Sequence, residues 1–300
     1  MHAPETITTP EGRFTAEVAG PSGAPLVLML HGFPQTRHTW RHQVPALARA
    51  GYRVIAPDQR GYSPGVRPSP EDLAAYRIDR LVADVVDLAD AAGYGGTAQW
   101  HLVGHDWGGQ VAWVVAARHP HRIASLTVLS RPHPTAFLRA IRENADGQQE
   151  RSRHHRAFHD PATATRLLED GARRLRQALA DQRVPEAAIA EYLSVLGDHA
   201  ALESALSWYR AAGTLGMPEL GPVAVPTLYL WGDADATVGR SAATATASFV
   251  TGPFRMEVLP GVGHFITDEV PDVVTTLLLD HLGSGAAGGT RLSTPPPRRP

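Results

Sequence analysis

The chain contains neither cysteine nor lysine. The first absence removes thiolate nucleophiles, disulfides and Cys-based metal sites. The second removes Schiff-base chemistry and any P-loop, so the glycines at 104, 108 and 109 are not a phosphate cradle of that type. An excess of one charge is missing too. The 28 basic residues, all arginine, stand against 30 acidic ones for a formal net charge of -2. That balance gives no broad basic surface for nucleic acid. No apolar run approaches the ~20 residues of a membrane span. The opening Met1-His2-Ala3-Pro4-Glu5-Thr6 has neither the basic start nor the apolar stretch of a secretory signal. The expectation is a cytoplasmic protein with no membrane or nucleic-acid partner. What remains, 300 residues with 43% hydrophobic content, can bury one large core or two small ones.

What is present is an alternation of strand and helix signals. Residues 6–20 alternate weakly about Gly12 and predict an entry hairpin. The apolar run at 25–30 has the character of a central parallel strand, and further strands are expected at 51–56, 125–129, 226–231 and 254–259. Helical spacing lies between them, at 40–50 and at 71–92, where Leu81, Val82, Val85, Leu88 and Ala89 share a face. Such alternation predicts a doubly wound, mostly parallel α/β sheet whose ligand lies beyond the carboxyl ends of the strands. His31, Asp106 and the residues after Leu129 fall at that edge. From 132 to 216 helical stretches at 135–143, 161–179, 185–196 and 200–212 replace strands, which suggests a helical cap over the site. The expected organisation is a core of 1–131 and 217–283, a cap of 132–216, and a disordered Gly-, Ala- and Pro-rich tail at 284–300.

One stretch organises the chemistry: Leu102-Val103-Gly104-His105-Asp106-Trp107-Gly108-Gly109, followed by an Ala-rich apolar run from Val111. A sharp strand-to-helix turn needs small neighbours two residues either side of its apex, because a Cβ there would clash. This is the pattern of a nucleophile elbow, with Asp at the apex in place of Ser. A carboxylate is already ionised at neutral pH and can displace at carbon to form an alkyl ester. Against an ester or amide carbonyl it would form an anhydride that collapses backwards. The substrates indicated are therefore epoxides or alkyl halides. The competing structural reading is a Gly-rich βα turn whose Asp is favoured by the helix dipole.

Two later loops belong to the same edge. Gly232-Asp233-Ala234-Asp235 follows one predicted strand and Pro260-Gly261-Val262-Gly263-His264 the next. The order nucleophile, acid, histidine gives His264 the role of base towards water, and Asp235 the role of holding the imidazole tautomer. Asp233 follows its strand too closely to reach across, and turn chemistry accounts for it. His31-Gly32-Phe33-Pro34 bends after the first central strand. There the Phe33 N–H, with the Trp107 N–H, would form an oxyanion hole.

These strings are accompanied by Trp40-Arg41-His42, Asp58-Gln59-Arg60-Gly61-Tyr62, Ala205-Leu206-Ser207-Trp208-Tyr209-Arg210 and Gly263-His264-Phe265. Together they span nearly the whole chain apart from its ends, and the chain resembles an epoxide hydrolase of the α/β-hydrolase fold. The resemblance implies Asp106, Asp235 and His264 as nucleophile, acid and base. It also implies that cap tyrosines bind the epoxide oxygen, and Tyr209 matches one of them. Its partners would be a small epoxide and water, with no cofactor. The second cap tyrosine is missing: Ser152-Arg153-His154-His155 occupies its neighbourhood, so His154 or His155 becomes the candidate second donor. Tyr192 is expected to pack. His155 and His159 stand four apart, but without a third ligand or an HExxH string no metal is expected.

Three rival readings exist. A haloalkane dehalogenase shares the Asp elbow and the following Trp, but Phe33 offers no side-chain donor to a halide, and 132–207 contains no Trp. A fluoroacetate-type enzyme would want arginine near the elbow, where Trp107 and Gln110 stand. A catalytically silent binding protein on this scaffold is opposed by the intact set of Asp106, Asp235 and His264.

Overall fold

The computed structural model describes residues 4–217 and 219–286. Its strands are β1 (Glu5–Thr9), β2 (Gly12–Ala19), β3 (Leu26–Leu30), β4 (Arg53–Pro57), β5 (Trp100–His105), β6 (Ile123–Leu129), β7 (Thr227–Gly232) and β8 (Phe254–Leu259). They form one 8-stranded sheet in the order β1-β2-β4-β3-β5-β6-β7-β8. The entry hairpin pairs Thr9 with Gly12 and joins the sheet antiparallel, whereas β4 through β8 are parallel. The sheet is the doubly wound, mostly parallel one that the strand–helix alternation predicts, and its order is that of the α/β-hydrolase fold the resemblance implies.

Each central strand is apolar on both sides because helices cover both faces of the sheet. The pleat sorts the side chains by parity. Val27, Met29, Val54, Ala56, Val103, Leu228 and Leu230 pack with α1 (Gln43–Arg49) on one face. The intervening Leu26, Leu28, Leu30, Ile55 and Leu102 pack on the other, with α2 (Ile78–Ala91) and α3 (Trp107–Arg118). α3 is buried on every side from Trp107 to Ala116, which explains why its sequence is apolar without a polar stripe.

Between β6 and β7 the chain is helical: α4 (Pro134–Glu143), α5 (Gln148–Arg151), α6 (Arg153–Ala157), α7 (Thr163–Ala180), α8 (Glu186–Leu196) and α9 (His199–Leu215). Two features differ from the sequence expectation. The short α5 and α6 lack the length that makes a periodic signal. α7 is interrupted where Asp170, Gly171 and Ala172 take positive φ, at the glycine that lets the chain turn there. After β7 come α10 (Arg240–Ala245), α11 (Ile266–Glu269) and α12 (Pro271–Ala286). α12 therefore runs on past Gly283 into the stretch expected to be a tail, while residues 287–300 of that tail lie outside the described residues. Among the described residues no helix is long and apolar enough to cross a membrane.

Candidate active site

β5 ends at His105 and α3 begins at Trp107, leaving Asp106 alone at the turn with φ 49 and ψ -115. An L-residue in that region is strained, and such strain persists where the surroundings over-determine it. Here the surroundings are glycines. A Cβ on Gly104 would come within 2.4 Å of the Gly108 carbonyl oxygen, and one on Gly32 within 2.4 Å of the Asp106 Cβ. The turn closes only because both positions lack a side chain.

β3 delivers the next group. Past its end at Leu30 the chain bends through His31-Gly32, and the Phe33 N–H donates to Asp106 Oδ1 at 3.0 Å. His31 is buried and shapes this bend: its Nε2 accepts from the Gln59 N–H at 3.2 Å, and its carbonyl accepts from the Gln59 amide at 2.6 Å. Pro34 borders the cavity described below. Trp107 stands at the first position of α3, where a backbone N–H has no acceptor within its own helix.

The other side of the elbow is formed by the loops after β7 and β8. His264 Nε2 lies 3.6 Å from Asp106 Oδ2, and its Nδ1 donates to Asp235 Oδ2 at 2.8 Å. Asp235 is buried, and its Oδ1 accepts from the Thr237 N–H at 2.7 Å, the Thr237 hydroxyl at 2.8 Å and the Val238 N–H at 3.1 Å. These donors fix the carboxylate and so the imidazole tautomer. The backbone carbonyl of His264 is also held: His105 Nε2 donates to it at 2.8 Å and the Ser130 hydroxyl at 2.7 Å. Asp233 accepts from the Gly261 N–H at 2.7 Å, as a turn residue does.

Electrostatics follow from this packing. Burial pushes the Asp106 carboxyl up, but His264, His105 and Arg131 outweigh it and hold the group below the usual carboxylate range. For His264, burial works downward while Asp235 and Asp106 raise its pKa well above the ordinary value. Each partner of the Asp106–His264 pair thus favours the charged form of the other. His105, stripped of solvent and close to His264, is pushed down to about 4 and stays neutral at neutral pH.

Asp106 opens into a cavity of about 800 Å³. Its walls include Phe33, Phe137 and Phe158, with Leu167, Leu175 and Leu179 from α7. Tyr209 on α9 borders it, packed edge-to-face on Phe33, Trp107 and Phe158 at ring distances of 5.5, 5.1 and 4.8 Å. Burial and then the Asp106 charge raise the Tyr209 phenol well above its ordinary pKa. His154 and His155 both border the cavity, with rings 6.1 and 5.3 Å from Tyr209. Burial lowers them to about 4 and about 3, so both are neutral at neutral pH. His159 instead packs against Gly213 of α9, and no cluster that could hold a metal occurs among the described residues. Tyr192 is fully buried, as expected, and its hydroxyl donates to Asp268 at 2.8 Å.

The structure thus gathers Asp106, His264, Phe33, Tyr209, His154 and His155 around one space, with Asp235 buried and bonded to His264. Three contributors were not foreseen from the sequence. Thr237 could have been found from its place two residues after Asp235, where an Asx turn recruits a hydroxyl. Gln148 on α5 accepts from the Gly239 N–H at 2.9 Å and donates to the Thr237 carbonyl at 2.7 Å, clasping the acid loop. Arg131 borders the cavity from just beyond β6, one of the positions after Leu129 already expected at the ligand edge.

Comparison with known proteins agrees with this geometry. Residues 25–271 match the alpha/beta hydrolase fold family. The chain is 34% identical over 305 residues to epoxide hydrolase A of Mycobacterium tuberculosis, covering 88% of this chain and 92% of that one. A solved structure described as one of the novel epoxide hydrolases in metagenomes from hot environments superposes with a TM-score of 0.82 at 30% identity, covering 94% of this chain and 99% of the other. Bacillus megaterium epoxide hydrolase in complex with an inhibitor superposes with a TM-score of 0.83 at 26% identity, covering 93% and 100%. By its fold, by its strained carboxylate elbow and by these relatives, the chain belongs to the epoxide hydrolase family of the α/β-hydrolase fold.

Proposed function

We propose that the protein hydrolyses an epoxide to a vicinal diol through an ester on Asp106, beneath a cap formed by residues 132–216. The observation that carries this is a carboxylate, not a hydroxyl, at the elbow, with His264 3.6 Å away. Asp106 Oδ1 is occupied by the Phe33 N–H, so Oδ2 is the oxygen free to attack a ring carbon. As that C–O bond forms, the ring C–O bond breaks and its electron pair goes to the oxygen, which takes a proton from the Tyr209 hydroxyl. A phenol held neutral by burial and by the neighbouring carboxylate keeps its proton until an alkoxide develops to claim it. His154 and His155 are the candidates for the second donor, both bordering the cavity with rings 6.1 and 5.3 Å from that of Tyr209.

Esterification removes one of the two carboxylates that raise the His264 pKa, so that pKa falls, the ring proton passes to solvent and the neutral imidazole becomes available as a base. It takes a proton from water, whose oxygen adds to the ester carbonyl. The resulting oxyanion rests on the Phe33 and Trp107 N–H groups. Collapse expels the diol alkoxide, which recovers a proton from His264, and Tyr209 regains its own from solvent. The halide-displacing alternative draws no support from Trp107. Its indole packs on Trp208 and Tyr209, and it is not among the residues bordering the cavity.

Multiple turnovers in 18O-water test the ester route. One heavy oxygen should enter the peptide bearing Asp106 and pass to the diol in later cycles; a peptide of unchanged mass after many turnovers would overturn it. Tyr209→Phe is expected to lower kcat/KM for epoxide opening by about 100-fold, the scale of a positioned general acid. Unchanged turnover in that variant would remove Tyr209 from the proton-donor role.

A further inference from the structure

The elbow itself carries Trp107 and Gln110, yet an arginine reaches the same space from the neighbouring strand. Leu129 ends β6, and its carbonyl accepts the Asp106 N–H at 3.2 Å, so the two strand ends lie side by side. Ser130 then takes φ 58, a strained turn for a residue with a side chain. Its N–H is fixed to the Leu230 carbonyl at 2.9 Å and its hydroxyl to the His264 carbonyl at 2.7 Å. The turn sends the next residue, Arg131, into the cavity that contains Asp106 and Tyr209.

Its guanidinium is positioned but not neutralised. Nε donates to Gln110 Oε1 at 2.9 Å, and Cζ lies 4.1 Å over the Phe137 ring. These contacts orient the fork, and no carboxylate among the described residues pairs with it. The other arginines bordering the cavity are engaged. Arg151 donates to the Asp235 carbonyl at 2.8 Å and the Asp146 carbonyl at 3.0 Å, and Arg153 pairs with Glu150. Burial lowers the Arg131 pKa and the Asp106 charge opposes this, as befits a desolvated cation near one anion that it does not bind directly. A half-buried arginine whose Nη groups make no side-chain hydrogen bond among the described residues is a fork for an incoming carboxylate.

We propose that Arg131 is a substrate-binding residue that anchors a carboxylate, making the preferred substrate an epoxide with an acid group next to the ring and an apolar body. Arg131 and Asp106 border one cavity and each charge acts on the other, which keeps an acid held by Arg131 near the carbon that Asp106 attacks. An oxirane carboxylate meets that requirement, and the phenylalanine- and leucine-lined walls take its apolar remainder. The substrate class rests on the epoxide reading above, whereas the binding of the acid group can be read without turnover.

The test pairs 3-phenyloxirane-2-carboxylate with its neutral methyl isostere, 2-methyl-3-phenyloxirane. The wild-type enzyme should favour the acid in kcat/KM by about 10-fold or more, on the scale of one charge-assisted fork. Arg131→Gln should reduce the acid-to-neutral ratio by about 100-fold, mainly through KM, and Arg131→Lys should retain part of it. A wild-type ratio at or below unity overturns the proposal even if no variant folds, and so does a parallel loss on both substrates in Arg131→Gln. Calorimetric titration with 3-phenylpropanoate separates the two readings. Binding that weakens by about 30-fold or more in Arg131→Gln, while neither epoxide is opened by wild type, sinks the epoxide reading and leaves the anchor standing. Both epoxides opened with unchanged ratio and unchanged binding sinks the anchor alone.

Discussion

His264→Gln is expected to take up one substrate molecule per chain and then stop. Glutamine retains an N–H for Asp235 but cannot accept a proton from water, so ester formation on Asp106 survives while its hydrolysis does not. Steady-state turnover should fall by about a thousand-fold or more, in line with the loss of a general base. Intact mass should rise by the full mass of the epoxide, because ring opening adds every atom of it. The adduct should map to the peptide containing Asp106. The resting geometry argues for this separation of steps: Asp106 is held ionised and needs no help from a base to attack, whereas His264 is the imidazole beside the carboxylate where the water must add. A variant that turns over at the wild-type rate, or that stays unmodified while losing all activity, would defeat the two-step scheme.

Gly108→Ala should have the largest effect on the folded state. A Cβ at that position meets the Leu30 carbonyl oxygen at 2.2 Å, the Leu30 carbonyl carbon at 2.5 Å and the His31 carbonyl oxygen at 2.6 Å. All three are backbone atoms of the segment that presents the Phe33 N–H, so no rotamer change relieves the collision. Either α3 or the end of β3 must move, at a cost of about 3 kcal/mol or more. For a chain of this size that corresponds to a Tm lowered by roughly 6–12 °C. Gly221→Ala is the control, since nothing lies within 4 Å of its added Cβ. Calorimetry of the two variants side by side should show the contrast, and a Gly108→Ala melting point close to that of Gly221→Ala would mean that the elbow tolerates a side chain.

The two variants probe features with different visibility in the sequence. The spacing of Gly104, Asp106, Gly108 and Gly109 is local, and so is the alternation of strands that makes Leu28 and Met29 face opposite layers. Such patterns are written within a few neighbouring residues and can be read without coordinates. The order of Asp106, Asp235 and His264 is also visible, because parallel strands deliver their following loops to one edge. What could not be read is convergence. Thr237, Gln148 and Arg131 matter because segments distant in the chain meet, and no periodicity announces which side chains will touch. The neighbourhood of His154 and His155 is evident in the sequence, but that both border the cavity is not. The break within α7 escaped for a related reason: an isolated glycine in a helical pattern is usually tolerated, and only packing decides whether the chain turns there.

The paired tether on the His264 carbonyl has a mechanical consequence. His105 reaches it from the strand that ends in the nucleophile, and Ser130 from the strand beside it. Base and nucleophile are thus bolted to the same rigid floor, the carboxyl edge of the sheet. The alignment along which a proton passes between them is set by that floor.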